Sequence, residues 1–323
     1  MDTKAIPILD INNLKMHYIN KYQTVRAIED VSFYIGEGET FGLVGESGCG
    51  KSATCRAIAG LLPDNGRILS GSIKYREREL IGLKEREMIT VRGSGIGMVF
   101  QEPMTALNPV LTIETQLVET MRGQGLGKRQ KRDRAIELLQ LVDISEPESR
   151  LKQHIHQFSG GMRQRVMIAI ALAAKPEVLL ADEPTTALDV TIQQQIITLL
   201  NRLKKELGMS IVLVTHDLGV VRMMCDRVAV MYAGYIVETA TTDTLLKNPR
   251  HPYTLGLINS LPREHDRREK LEPIPGAPPD QTEQIKGCPF APRCFKAGEI
   301  CFAELPAMQQ SEPGHFLRCH YSV

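Results

Sequence analysis

The sequence predicts an α/β fold whose sheet is largely parallel and covered by helices on both faces. Three observations point there. Short apolar runs alternate with helical patterns in the second half: Val178–Ala181, a helix about Ile192–Glu206, Ile211–Val214, a helix about Leu218–Cys225, and Arg227–Met231. The apolar run Phe41-Gly42-Leu43-Val44 leads into a glycine-rich turn, Gly45-Glu46-Ser47-Gly48-Cys49-Gly50-Lys51-Ser52, with a helical stretch after it. The 323 residues are 42% hydrophobic and 24% charged, enough for one large core with a small appendage.

From the N-terminus, strands are expected at Ile8–Ile11, Val31–Ile35 and Thr40–Val44, the last two joined by the turn Gly36-Glu37-Gly38-Glu39. A helix follows from Lys51 to Leu62, stopped by Pro63. Residues 100–157 read as mostly helical, most clearly at Arg134–Val142. Past Asn248 prolines become frequent, so about 255–323 reads as an appended, irregular module. The net charge of +1 gives no strong field toward nucleic acid or an anionic membrane. The basic run Gly127–Arg134 has no interleaved aromatics and reads as a solvated helix face, so no nucleic-acid partner is expected. The longest apolar stretch, Val166–Ala174, is too short to span a bilayer, and MDTKAIPILD carries no apolar export signal.

Gly45–Ser52 fits the pattern G-x-x-x-x-G-K-S between a strand and a helix, the context in which such a loop cradles phosphates. Converging backbone N–H groups receive the β-phosphate, the Lys51 ammonium reaches the β/γ oxygens, and the Ser52 hydroxyl can ligate Mg²⁺. Asp182 and Glu183 end an apolar strand; Asp182 suits Mg²⁺ through water, and Glu183 suits polarising an attacking water. Cys49 inside the loop reads as a small filler that could confer thiol sensitivity.

Ser159-Gly160-Gly161, ahead of Asp182-Glu183, resembles the signature of ABC-transporter ATPases, and the resemblance spans about 8–250. It implies an ABC-cassette P-loop NTPase fold: a RecA-like parallel core, an antiparallel β subdomain and a helical subdomain at about 100–160. Residues 1–254 then form the nucleotide-binding domain and 255–323 an extension. Gly45, Ser47, Gly48, Cys49, Gly50, Lys51, Ser52 and Ala53 match the ATP-binding loop. Gln101 resembles the Q-loop glutamine that senses Mg²⁺, Asp189 lies in a D-loop-like Ala187-Leu188-Asp189, and His216 resembles the switch histidine. Tyr18 is the choice for the aromatic that stacks on adenine, with Tyr22 its competitor. The signature departs from the family form in Phe158 and Met162, but keeps the serine and both glycines that contact phosphate.

The same resemblance implies a head-to-tail dimer with an identical or paralogous ATPase, ATP shared between the two, and two separate transmembrane permease subunits. An extracytoplasmic solute-binding protein is then an indirect partner. Residues 101–116 are the expected docking surface, and the chain is expected to sit peripherally on the cytoplasmic face of the cell membrane.

Cys288, Cys294, Cys301 and Cys319, spaced C-x5-C-x6-C-x17-C in a proline-rich segment, suggest a structural metal centre. The residues alone leave metal or cluster open, and His315 and His320 keep zinc possible. His251-Pro252-Tyr253-Thr254, Pro273-Ile274-Pro275-Gly276 and Gly287–Cys294 resemble the C-terminal extension of dipeptide and oligopeptide importer ATPases, and that resemblance implies a [4Fe-4S] cluster on the four cysteines. The expected activity is ATP hydrolysis driving peptide uptake. A nickel or small-solute importer ATPase and a soluble non-transport ABC ATPase are the alternatives.

Overall fold

The computed structural model describes residues 6–260 and 273–323, and these divide into two units. The first comprises Gly82–Val214 with the turn Gly36–Glu39 and the residues up to Ile8. Its sheet is parallel: Val178–Asp182 pairs with Ile96–Val99 on one side and with Ser210–Thr215 on the other, with Leu179 level with Gly97 and Ile211. Every residue of Val178–Asp182 and Ser210–Thr215 is buried. A continuous apolar run, rather than an alternating one, is what a strand covered on both faces requires.

The helix Gly160–Leu172 is buried nearly all round, at Gln164, Val166, Met167, Ile168, Ala169 and Leu172, whereas Val190–Leu207 buries Ile196, Leu199, Leu200 and Leu203, a one-sided stripe at helical spacing. The second of these stops at Gly208, which takes the left-handed conformation (φ 65°) that glycine adopts without a Cβ penalty. Between the signature and the sheet's edge, Ile113–Thr120 and Lys128–Leu141 bury Leu117, Ala135, Leu138 and Leu139. The basic run opens the second of these two helices; Lys128 and Arg129 are exposed, while Arg132 and Arg134 pair with Glu114 and Glu137.

The second unit comprises Leu9–Ile35, Thr40–Ile81 and Thr215–Val323. Leu9–Ile19 lies antiparallel between Thr24–Ile35 and Gly66–Tyr75. Thr40–Val44 runs parallel to Arg227–Tyr232, and that strand turns back through Ala233-Gly234, both at positive φ, into Tyr235–Thr241. Phe33 stacks on Phe41 with ring centroids 4.8 Å apart, inside a core with Leu9, Ile28, Leu43 and Val230.

Several sequence expectations are corrected. The helix after the glycine turn ends at Ile58 rather than Leu62, because Gly60 leaves the helical region at φ 62°. The first two strands are longer than their apolar runs, since the register shifts along Leu9–Ile19 absorb the polar Asn12 and Asn13. The strands Gly66–Tyr75, Ile96–Val99 and Tyr235–Thr241 were not anticipated. The tail is more regular than its prolines suggest: it contains a helix at Pro252–Asn259 and a hairpin of Gln309–Glu312 with His315–Leu317. The second strand of that hairpin pairs with Tyr235–Thr241, joining the tail to the sheet.

Candidate functional site

In the second unit the chain leaves the strand Thr40–Val44 and wraps into the loop Gly45–Gly50 before the helix Lys51–Ile58. Gly45, Gly48 and Gly50 all have positive φ. A Cβ on Gly45 would lie 2.2 Å from the Met231 carbonyl oxygen, and one on Gly50 2.3 Å from that of Ala27, so both positions require glycine sterically as well as conformationally. The helix start has no side-chain cap; its first N–H groups are therefore donors for an anion. Lys51 is buried and folds back over the loop, donating from Nζ to the carbonyl oxygens of Gly45 (2.7 Å) and Glu46 (2.9 Å). Burial pushes the Cys49 thiol up despite the neighbouring Lys51, which fits a filler rather than a reactive thiolate. Ser52 and Ala53 occupy the first turn of the helix, and Ser47 lies in the loop itself. These features fit a triphosphate, whose oxygens need converging donors and one point charge.

In the same unit His216 is exposed just beyond the strand Ser210–Thr215. The next residue, Asp217, caps the following helix by accepting from the N–H groups of Gly219 and Val220, which fixes the backbone that carries His216. Tyr18 is half-buried near the end of its strand, level with Val25 and Gly66, whereas Tyr22 is 83% exposed in the following turn.

The first unit carries the acidic pair. Asp182 is buried at the strand end, level with Val214. Glu183 follows with φ 46°, a left-handed conformation that costs a non-glycine residue energy and recurs at functional sites. Its N–H donates to the Val214 carbonyl oxygen at 2.9 Å. The Oε2 atom of Glu183 accepts from Thr186 Oγ1 at 2.7 Å and from Gln101 Nε2 at 3.3 Å. The structure thus brings Gln101 and Glu183 together, and Thr186, which the sequence reading missed, orients the carboxylate. Ser159 caps the signature helix through Oγ, which accepts from the N–H of Met162. Gly160 and Gly161 form the first turn, and Asp189 caps the next helix by accepting from the N–H of Ile192. Of the expected docking stretch, Met104 and Val110 are exposed, but Gln116 is buried and bonds Asn108 and Leu111 through their backbones. Gln116 therefore holds the loop from beneath instead of presenting a surface.

The four tail cysteines Cys288, Cys294, Cys301 and Cys319 line one small hollow with Phe290, Lys296 and His320. None is in a disulfide. Burial raises the thiols of Cys288 and Cys294, and pushes Cys319 up to about 11, with the other three cysteines adding to the Cys319 shift. Among the described residues no three His, Cys, Asp or Glu side chains converge as ligands of a single metal ion. His315 lies buried elsewhere and bonds Glu238 through Nε2 at 2.7 Å, whereas His320 lines the hollow. The four thiols thus border a common hollow, but among the described residues they do not themselves form a metal site.

Fold and loop together define a P-loop ATP-binding cassette. The chain matches the family profile described as ABC transporter over residues 28–186 and that described as oligopeptide/dipeptide transporter, C-terminal region, over 237–301. It is 47% identical to the oligopeptide transport ATP-binding protein AppD of Bacillus subtilis, over 97% of this chain and 96% of that one. It is 46% identical to the oligopeptide transport ATP-binding protein OppD of Salmonella typhimurium, over 98% of this chain and 94% of that one. Among solved structures, the ATP-binding cassette MJ0796, a dimer in a post-hydrolysis state bound to ADP and Pi, aligns with a TM-score of 0.64 and 31% identity over 72% of this chain and 98% of that one. The chain belongs to the ABC-transporter family, in the branch of the oligopeptide and dipeptide transport ATP-binding proteins.

Proposed function

We infer that this chain is the ATP-hydrolysing subunit of an ABC importer that drives uptake of di- and oligopeptides through separate membrane subunits. The carrying observation is the pairing of two features in one chain: a phosphate loop whose glycines are sterically required, and a tail that matches the peptide-transporter C-terminal region. Gly45, Ser47, Gly48, Cys49, Gly50, Lys51, Ser52 and Ala53 cradle the phosphates of ATP, and Tyr18 stacks on adenine. Glu183 accepts a proton from the attacking water, with its carboxylate held by Thr186 and Gln101. His216 contacts the γ-phosphate. Ser52, Asp182 and Gln101 would hold Mg²⁺, which neutralises charge on the β and γ oxygens.

Ser159, Gly160 and Gly161 at an N-terminal helix end suit the γ-phosphate of ATP held by a second ATPase subunit, identical or paralogous. Asp189 lies at that same head-to-tail contact. ATP bound by both subunits favours the closed pair, and hydrolysis removes that bias. Among the described residues no helix is long and apolar enough to cross a membrane, consistent with a peripheral place on the cytoplasmic face. The exposed Met104 and Val110 suit docking to a permease subunit. Cys288, Cys294, Cys301 and Cys319 would hold a [4Fe-4S] cluster that staples the tail, a role that needs no redox turnover. The test is ATPase activity of the assembly reconstituted with its membrane subunits and solute-binding protein. Stimulation by peptides is expected; stimulation by nickel or another small solute instead would overturn the peptide assignment.

A further inference from the structure

The proposed hydrolytic roles leave Glu46, the second residue of the phosphate loop, without a use for its side chain. Its carboxylate receives both arms of one guanidinium: Arg293 Nη1 donates to Oε2 at 2.6 Å and Nη2 to Oε1 at 3.0 Å. Arg293 closes the turn Ala291–Arg293 and immediately precedes Cys294. Its side chain is 5% exposed. Its remaining donors are fixed as well, Nε to the Pro275 carbonyl oxygen at 2.8 Å and Nη1 to Tyr232 Oη at 3.1 Å. Two further contacts come from the same part of the chain. The Glu46 N–H donates to Tyr253 Oη at 2.9 Å, and Gln281 Nε2 donates to the Gly48 carbonyl oxygen at 2.8 Å. Tyr232, Tyr253 and Phe290 pack ring against ring behind these bonds, with centroids 4.6 to 5.2 Å apart.

A planar guanidinium held at every arm has little freedom to follow a moving partner. The backbone of Glu46 meanwhile contributes its carbonyl oxygen to Lys51 Nζ. The conformation of the Cys288–Cys294 turn is therefore passed, through one fork, to the loop that positions the lysine. The fork also neutralises a carboxylate that would otherwise stand uncompensated beside an anionic ligand.

We propose that Arg293 is a positioning residue of the nucleotide site, through which the four-cysteine segment sets the shape and charge of the phosphate loop, so that nucleotide affinity depends on that segment being intact. The proposal rests on the reading that Gly45–Ser52 binds ATP.

The test measures the affinity of the purified full-length chain for a fluorescent mant-ATP with Mg²⁺, alongside thermal melting of each variant. Arg293→Met is expected to weaken binding about 10-fold, which is about 1.4 kcal/mol. Adding Glu46→Gln to it recovers most of the loss by removing the stranded charge. Cys294→Ser weakens binding several-fold alone but less than 2-fold further in the Arg293→Met background. Wild-type affinity in a folded Arg293→Met, or losses that multiply fully between Cys294→Ser and Arg293→Met, overturns the proposal. Should Arg293→Met not fold, Glu46→Gln combined with Cys294→Ser decides: less-than-multiplicative losses support the link, and fully multiplicative ones overturn it. A wild-type chain that binds no mant-ATP would overturn the ATP-binding reading and this one with it; intact wild-type binding with an unaffected Arg293→Met overturns this one alone.

Discussion

Replacing Gly161 by alanine will destabilise the protein, while the same replacement at its neighbour Gly160 will not. Both glycines lie in the first turn of the helix Gly160–Leu172, where alanine in place of glycine gains up to about 1 kcal/mol of helix propensity. Their surroundings differ. A Cβ on Gly160 would have its nearest neighbour at 3.7 Å, Leu188 Cδ2, an ordinary contact; a Cβ on Gly161 would lie 2.8 Å from Ile192 Cγ2. That methyl sits on a β-branched carbon in a helix, where one χ1 rotamer dominates, so it cannot swing aside cheaply. Overpacking of this kind costs about 1–3 kcal/mol. The Gly161→Ala variant is therefore expected to lose about 1 kcal/mol net, and Gly160→Ala to be neutral or up to about 1 kcal/mol more stable, a separation of about 1–2 kcal/mol between adjacent positions. Urea unfolding of both variants measures it, and Ile192→Ala combined with Gly161→Ala should recover part of the loss. Equal stabilities for the two alanine variants would refute the reasoning, because then Ile192 does not press on the signature turn. The contact has functional weight in the proposed scheme, since it sets how closely the signature turn approaches the helix capped by Asp189.

Glu183→Gln retains the acceptor geometry toward Thr186 and Gln101 but removes the base, so turnover should fall by at least about 10²-fold. ATP should then hold a dimer visible by size-exclusion chromatography; wild-type turnover would remove Glu183 from its role. His251 is kept neutral by burial, with its pKa lowered to about 3 from the ordinary 6.5. Below pH 6.5 the unfolded chain binds a proton that the folded chain refuses. His251 thus contributes stability that is full above pH 6.5 and lost toward pH 3, at up to about 1.4 kcal/mol per pH unit. His251→Asn, which keeps an acceptor for the N–H of Tyr253, should flatten the melting-temperature profile between pH 6 and 4; an unchanged slope would show that other groups titrate there. The anaerobically purified chain should be brown and contain iron, and a colourless protein retaining zinc by elemental analysis would reject the cluster.

The parts of the site that the sequence disclosed are those whose cause is local. Gly45 and Gly50 are glycines because a backbone carbonyl oxygen stands where a Cβ would be, and such a need leaves its mark on the residue itself. Val178–Ala181 is readable because burial on both faces selects apolar residues up to the functional Asp182 at the strand's end. Ser159 and Asp189 stood out in the sequence only by their motifs, although each caps the helix that follows it through a bond reaching just three residues ahead. What stayed hidden arises between residues far apart in the chain. Gln116 looks like surface until its amide is found closing the backbone of Asn108 and Leu111. Gly66–Tyr75 has only two buried residues, Gly66 and Ile73, so no apolar pattern announces it; its place is set by pairing with Leu9–Ile19.

The tail is the sharpest case, because polar residues do there what apolar ones do in the core. Glu238 is fully buried in a strand, a position a sequence reading assigns to an apolar residue. Its carboxylate accepts from the N–H groups of Arg250 and His251 and bonds His315 Nε2, so one buried carboxylate ties together three points of the final third of the chain. Burying a carboxylate is tolerable only with such a full complement of partners. Arg318 bonds Asp30 in the same manner at 2.5 Å, tying the end of the chain to an N-terminal strand. A proline-rich segment with few apolar residues buries only a little, Phe290 and Leu317 among it, and is held besides by charged groups with specific partners: Arg293 on Glu46, His315 on Glu238 and Arg318 on Asp30. Such a segment is weakened by losing single partners rather than by loosening a large core, so Glu238→Ala should expose it to limited proteolysis while leaving the parallel sheet of Ile96–Val99, Val178–Asp182 and Ser210–Thr215 intact, and a tail as resistant as in the wild type would refute this.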